Sequence, residues 1–252
     1  MSIPVDRTII EAAEARAREH HAQYDPSHDF FHVDRVRKLS LAIANSLAQL
    51  GPSPDLFVVE LAALFHDLID AKYLPAGSKP QNGHETLAPF WAGHGQHLDE
   101  QRRRLVEDIV DNVSYSKEVK RIAAGGQTDW HLTCPELHCV QDADKLDAIG
   151  AFGVMRCAAY SAIANRPLFV PPPCNAPEAA SSSAPNAAPT AAQTRPSAGS
   201  SALDHFDDKL FKLEGMMKTP RGRELARRRT ETMRRFVDDA KREWEEAASG
   251  LP

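Results

Sequence analysis

The 252-residue chain is poor in cysteine: Cys134, Cys139, Cys157 and Cys174 are the only four, and none forms a CxxC pair. Zinc-ribbon chemistry is thereby excluded, and the spacing suits reduced thiols better than a disulfide framework. No apolar run reaches the length that spans a bilayer, and Met1-Ser-Ile-Pro-Val-Asp-Arg7 has no apolar signal core, so a cytoplasmic protein without a membrane partner is expected. An excess of positive charge is missing too. Thirty Lys and Arg against 35 Asp and Glu give a formal charge of −5, which argues against a nucleic-acid polymer as partner. Finally, no stretch alternates apolar and polar residues convincingly, so no strand is expected and the fold class reads as all-α.

What is present is a core-forming composition, 42% apolar, organised around Glu60-Leu-Ala-Ala-Leu-Phe-His-Asp-Leu-Ile-Asp-Ala-Lys72. Leu61, Leu64, Phe65 and Leu68 recur at helical steps and predict a helix running to about Ala71. His66, Asp67 and Asp70 fall on adjoining parts of its surface. Burying an unpaired carboxylate and an imidazole costs roughly several kcal/mol. Either a hydrogen-bonded His-Asp pair in the core or a bound cation meets that cost.

Upstream, Thr8 to Tyr24 reads as a surface helix with His20 and His21 solvated, closed by Asp25-Pro26. Ser27-His-Asp-Phe-Phe-His32 then delivers His32 to a helix whose apolar row is Val33, Val36, Leu39, Ile43, Leu47 and Leu50. Arg35 lies three residues beyond His32, placed either to reach an anion or to form a surface salt bridge. Ser53 and Pro54 read as N-cap and first residue of the His-Asp helix. Pro75 to Gly83 reads as a loop over the mouth of a site. Asn112, Ser114 and Lys117 are candidates to border a phosphate, and Ala123 to Thr133 reads as a loop. Pro135 opens the helix bearing Asp142, Asp144 and Asp147. Gly150 and Gly153 predict close helix packing.

Eight of the 18 prolines fall between Arg166 and Ala202, among Ala, Ser, Asn and Thr. Residues 166–202 are therefore expected to be a disordered insert, between an N-terminal part at 1–165 and C-terminal helices at 203–252 that complete the same domain. Phe206, Leu210, Leu213 and Met217 form an inward stripe, with His205, Lys209 and Lys212 off it. Glu224 to Glu246 reads as a long helix packing Met233, Phe236, Val237, Ala240 and Trp244 inward.

One His, a His-Asp pair, then a distant Asp is the ligand order of the HD-domain superfamily of metal-dependent phosphohydrolases, which this sequence resembles from about Asp25 to Leu146. His28-Asp29…His32…Arg35, Ala62-Ala-Leu-Phe-His-Asp-Leu-Ile-Asp-Ala-Lys72, Gln141-Asp-Ala-Asp-Lys-Leu-Asp-Ala-Ile-Gly-Ala-Phe-Gly153 and His205-Phe…Lys209 narrow the likeness to a bacterial-type subgroup with nucleoside triphosphate hydrolases among its members. The resemblance implies a helical bundle and the metal ligands His32, His66, Asp67 and Asp144. It puts the last ligand at Asp144 rather than at Asp142 and matches Asp70 to the acidic position that serves as catalytic base; by its spacing Asp147, three residues on, is placed to accept from a ligating histidine, and Asp142 is equally placed to cap the helix.

The resemblance further implies substrate contacts from Arg35, Lys72, His205 and Lys209, and possible homodimers. A nitrogen and oxygen donor set suits one divalent transition ion, Mn²⁺ first, with Co²⁺, Ni²⁺, Fe²⁺ or Zn²⁺ as alternatives. The expected partner is a small phosphorylated molecule, a (deoxy)nucleoside triphosphate cleaved to monophosphate and pyrophosphate. The alternatives are a nucleoside monophosphate phosphatase or other phosphoester hydrolase, and a non-catalytic helical binding protein with a structural metal. Ala71, where guanosine-polyphosphate hydrolases carry a second acid, counts against that substrate.

Overall fold

A computed structural model describes residues 5–51, 53–69, 82–171 and 201–250. The elements are α1 (Val5–His21), α2 (Phe30–Ala48), α3 (Leu56–Phe65), α4 (Gly83–His94), α5 (Glu100–Asn112), α6 (Tyr115–Ala123), α7 (Asp129–Thr133), α8 (Pro135–Asp147), α9 (Gly150–Ile163) and α10 (Asp204–Asp208). A 3-10 run over Leu210–Met216 and the long α11 (Pro220–Ser249) close the order. Among the described residues there is no strand, as the lack of alternating stretches predicts. Nor is any single described helix long and apolar enough to cross a membrane.

The centre of the molecule is α2, which packs against both α3 and α8. Helix α3 is apolar nearly all round, and Val58, Val59, Leu61, Ala62, Ala63, Leu64 and Phe65 are wholly buried, as such a helix must be. Its one charge, Glu60, pairs with Arg37 of α2, whose guanidinium also holds Glu14 of α1 at 2.8 Å. Three helices are thus tied at their shared edge.

Helix α3 starts and stops differently from expectation. Asp55, not Ser53, is the N-cap, accepting from the Phe57 and Val58 amides at 3.1 and 3.3 Å while Arg102 grips its other oxygen at 2.7 Å. Pro54 consequently precedes the cap. The helix ends at Phe65, with His66 as C-cap and a turn closed by the Leu68 amide on the Phe65 carbonyl. His66 and Asp67 therefore sit at a helix end instead of mid-helix.

Helix α1 buries Ile9, Ile10, Ala13 and Ala17, and with them His21, which is 2% exposed against the expected solvation. Leu50 lies past the end of α2 and is exposed. Part of the expected loop at 123–133 is the short helix α7.

Helix α8 does open at Pro135, and it carries buried polar groups on an apolar body of Leu137, Cys139, Val140, Ala143 and Leu146. Asp142 does not cap α8. It lies inside that helix and accepts from the Lys218 amide at 2.9 Å and from the Thr219 amide and hydroxyl at 2.8 and 2.7 Å, anchoring the start of α11. Glu118 of α6 pairs with the buried Lys145 at 2.7 Å and with Lys218.

Gly150 opens α9 at φ 77°, a left-handed conformation that strains any residue with a Cβ, and Arg229 packs directly on it. Gly153 lies against the Ala148 carbonyl, giving the close approach expected of both glycines.

The expected insert at 166–202 falls mainly on 172–200, which lie outside the described residues. Its described ends meet: the Ala202 and Leu203 amides donate to Pro167 and Leu168 at 2.8 and 3.0 Å. Phe206, Leu210, Leu213 and Met217 are buried as the stripe predicts. On α11, Met233 and Val237 are buried, whereas Phe236 and Trp244 remain about two-fifths exposed (42% and 41%), their rings resting 5.8 Å from Phe206 and 5.6 Å from Phe169. Three of the cysteines, Cys134, Cys139 and Cys157, are free and buried; Cys174 lies outside the described residues.

Candidate metal centre

The ends of three helices converge on one point. His32 enters on the first turn of α2, held there because the Asp29 cap accepts from the His32 amide at 3.0 Å. His66 and Asp67 follow α3, and Asp144 stands on the last turns of α8. One ligand atom each from His32, His66 and Asp144 lies within 4.8 Å of the others, a group able to hold a metal ion. An Asp67 oxygen is 3.4 Å from His32 Nε2 and 3.3 Å from His66 Nε2.

Hydrogen bonding fixes both imidazole tautomers. His66 Nδ1 faces the Ala63 carbonyl at 2.8 Å, which can only accept, so Nδ1 carries the proton. His32 Nδ1 likewise donates to Asp147 at 2.7 Å, the carboxylate expected beside a ligating histidine. With Nδ1 as the donor, a ring in its neutral form keeps its lone pair on Nε2, and the two Nε2 atoms are 3.2 Å apart. Two lone pairs at that distance repel unless a proton or a cation lies between them.

Without a cation a proton does so. Burial works against a charged His66, yet the adjacent Asp67 carboxylate outweighs it and pushes the imidazole up to about 9. Asp67 moves oppositely. Burial would raise its carboxyl, but the facing imidazoles hold it well below the usual carboxylate range. Nitrogen and carboxylate donors of this kind fit a divalent transition ion.

Asp147 braces the centre. It accepts Arg35 Nε at 2.7 Å and Nη2 at 3.0 Å, and Arg156 Nη1 at 3.1 Å, besides His32. Burial alone would raise this carboxyl; the His32 and Arg35 hydrogen bonds hold it far below its ordinary value. The guanidinium of Arg35 is thus turned onto Asp147, with its Cζ 4.3 Å from the Phe152 ring centre, in place of the expected reach toward a bound anion.

A cavity of about 320 Å³ opens from His66, Asp67 and Asp144. Its wall includes Ser114, Lys117, Lys120, Lys145, Arg156 and Lys209. Of the residues expected to border phosphate, Ser114, Lys117 and Lys209 line it; Arg35, Asn112 and His205 do not. Lys120, Lys145 and Arg156 escaped the sequence reading. The spacing of Lys120, three residues beyond Lys117 on α6, is a usable signal, whereas Lys145 and Arg156 depend on distant partners. Lys209 sits 4.7 Å over the Tyr115 ring. Asp70, Lys72 and most of the expected mouth loop at 75–83 lie outside the described residues.

The HD-domain family model matches residues 30–149. A Bacillus subtilis protein, YpgQ, is 31% identical over 212 residues, covering 83% of this chain and 81% of YpgQ. The crystal structure of YpgQ in complex with ADP matches with a TM-score of 0.64 at 25% identity, over 93% of this chain and 97% of that one. A Lactobacillus plantarum protein matches at 0.68 and 29% identity, over 97% and 99%. An HD-superfamily hydrolase from Bacillus thuringiensis shares the fold, at 0.63 and 23% identity over 95% and 98%.

Proposed function

Because this chain belongs to the HD-domain family and is a metal-dependent phosphohydrolase, we propose that its substrate is a small nucleotide, a (deoxy)nucleoside triphosphate cleaved to monophosphate and pyrophosphate. The observation that carries this reading is the cavity itself, in which one wall is the His and Asp cluster and the others present Lys117, Lys120 and Lys209. A triphosphate needs cations along its length, and a cavity of about 320 Å³ has room for a nucleotide-sized ligand. The binding of ADP by the related YpgQ supports the same ligand class.

His32, His66, Asp67 and Asp144 would hold the ion in this reading. A bound divalent ion supplies Lewis acidity and lowers the pKa of water at the site. Water attacks the α-phosphorus as the bond to the bridging oxygen breaks, and pyrophosphate leaves. Asp70 takes the proton of that water. Lys72 and Lys209 offset charge on the β- and γ-phosphates, joined by Lys117 and Lys120. Arg35 acts through Asp147 as a positioning residue, and His205, one turn before Lys209, through its carbonyl, which accepts the Lys209 amide at 3.1 Å. Residues 1–165 and 203–252 work as one unit, and activity survives deletion of 172–200.

The test is product release from nucleoside tri-, di- and monophosphates, using chelated protein resupplied with Mn²⁺, Co²⁺, Mg²⁺ or Zn²⁺, beside His66→Ala. Pyrophosphate from triphosphates, lost in the variant, is the expected result. Orthophosphate from monophosphates alone would replace this reading with a nucleotidase.

A further inference from the structure

Helix α11 carries seven arginines between Arg221 and Arg235 against two glutamates, far more than a solvated face requires. Arg221 and Arg235 are spent on Glu224 and Glu231, and Arg229 donates to the Leu146 carbonyl. Arg223, Arg227 and Arg234 instead line one groove. They stand four and seven residues apart, together eleven residues and about three helical turns, and so share one face. Arg223 donates to the Met217 and Lys218 carbonyls at 3.3 and 2.8 Å. Neither Arg227 nor Arg234 pairs with any described carboxylate.

These three side chains form one wall of a groove of about 400 Å³ whose other wall is Phe211, Glu214 and Gly215. The Arg234 guanidinium lies 5.9 Å from the Phe211 ring centre. The opposite wall belongs to the 3-10 run, where residues three apart share a side. Leu210 and Leu213 therefore turn inward, Leu213 lining the metal cavity, while Phe211 and Glu214 turn out to the groove. The groove and the metal cavity sit back to back across one short segment.

Three cations against one carboxylate, with an aromatic ring at the edge, match a phosphate chain attached to a planar base. We propose that this groove is a second nucleotide site, binding the phosphates of a nucleoside polyphosphate through Arg223, Arg227 and Arg234 with the base against Phe211. It does not depend on which phosphoester the metal cavity hydrolyses.

Calorimetric titration of the full chain with the α,β-methylene analogue of a nucleoside triphosphate tests this, with Mn²⁺ present and again after chelation. One binding event per chain is expected to survive chelation, to weaken at least about tenfold in Arg227→Ala/Arg234→Ala, and to tighten in Glu214→Gln. Both substitutions lie on exposed or half-buried side chains, and unchanged melting temperatures confirm that the variants are folded. Tripolyphosphate should bind the same site more weakly for want of a base. No binding after chelation, or chelation-resistant binding that survives the double substitution, overturns the site, and equal affinity for tripolyphosphate overturns its assignment to a nucleotide. A single event that ignores chelation but is lost in the double variant supports the groove while sinking the nucleotide reading of the metal cavity.

Discussion

Asp147→Asn is the sharpest single perturbation of the metal centre, because it keeps the shape of a side chain that touches no ion itself. The carboxylate has two oxygens serving four donors: Oδ2 takes His32 Nδ1, Arg35 Nη2 and Arg156 Nη1, and Oδ1 takes Arg35 Nε. An amide has only one acceptor. With its oxygen toward His32, its NH₂ opposes Arg35 Nε donor to donor. Flipped, its NH₂ faces His32 Nδ1 and favours the tautomer with the proton on Nε2, removing the lone pair a metal needs.

Either arrangement also leaves two partly buried arginines without their counter-charge. Loss of such an orienting carboxylate costs roughly 10–100-fold in metal affinity, or about 1.4 to 2.8 kcal/mol. Stability should fall by about 2–3 kcal/mol, less than for outright removal of a buried partner because the amide keeps some bonds. That corresponds to roughly 5–10 °C in Tm for a chain of this size. The assay is Mn²⁺ titration of chelated protein, with Arg35→Ala as comparison, since that variant leaves the His32 bond in place. Mn²⁺ affinity in Asp147→Asn within about threefold of wild type would refute the tautomer argument.

Three further outcomes follow from the buried groups. His66 is pushed up to about 9 chiefly by Asp67 acting against burial, so below that pH metal must displace a proton; Mn²⁺ affinity should rise about tenfold per pH unit between 6.5 and 8, and a flat profile would contradict this. Burial pushes His21 down to about 4 from an ordinary 6.5 while its Nδ1 donates to the His28 carbonyl. A depressed histidine contributes stability above its unfolded value and loses it as pH falls toward the folded one; about 2 kcal/mol should disappear between pH 7 and 5. His21→Asn, which keeps an N–H donor, should flatten that part of the denaturation profile, and an unchanged slope would refute it. Gly222→Ala would set a Cβ 2.2 Å from an Asp142 oxygen and 2.8 Å from the Thr219 hydroxyl, so a loss of about 2–4 kcal/mol is expected by thermal melting.

Much of the centre was readable because its signals are local. His32 is fixed by a cap three residues before it and by the apolar row of α2, the His-Asp pair interrupts an apolar run, and Asp144 and Asp147 stand one turn apart behind a proline that opens their helix. The helix through Asp70 was over-extended for a local reason as well. Leu68 and Ile69 continue the apolar pattern and are buried, but they do so from a turn, and periodicity alone does not distinguish the two.

What escaped the sequence is the set of partners that lie far apart in it. Arg35 meets Asp147 across 112 residues and Asp142 meets Thr219 across 77, so whether each side chain points at a ligand or at another helix is decided only when α2, α8 and α11 pack. The same cause explains His21. A histidine at the end of an Ala- and Glu-rich helix looks solvated until the His28 carbonyl is brought over it. In this fold the buried charges mark helix junctions: Glu118 with Lys145 and Lys218, Asp142 with the α11 start, Asp147 with Arg35 and Arg156. Among the described residues the metal centre is set apart because two imidazole Nε2 atoms, each able to offer a lone pair, face each other at 3.2 Å with the Asp67 and Asp144 carboxylates beside them. That mismatch separates a ligand site from the structural ion pairs around it.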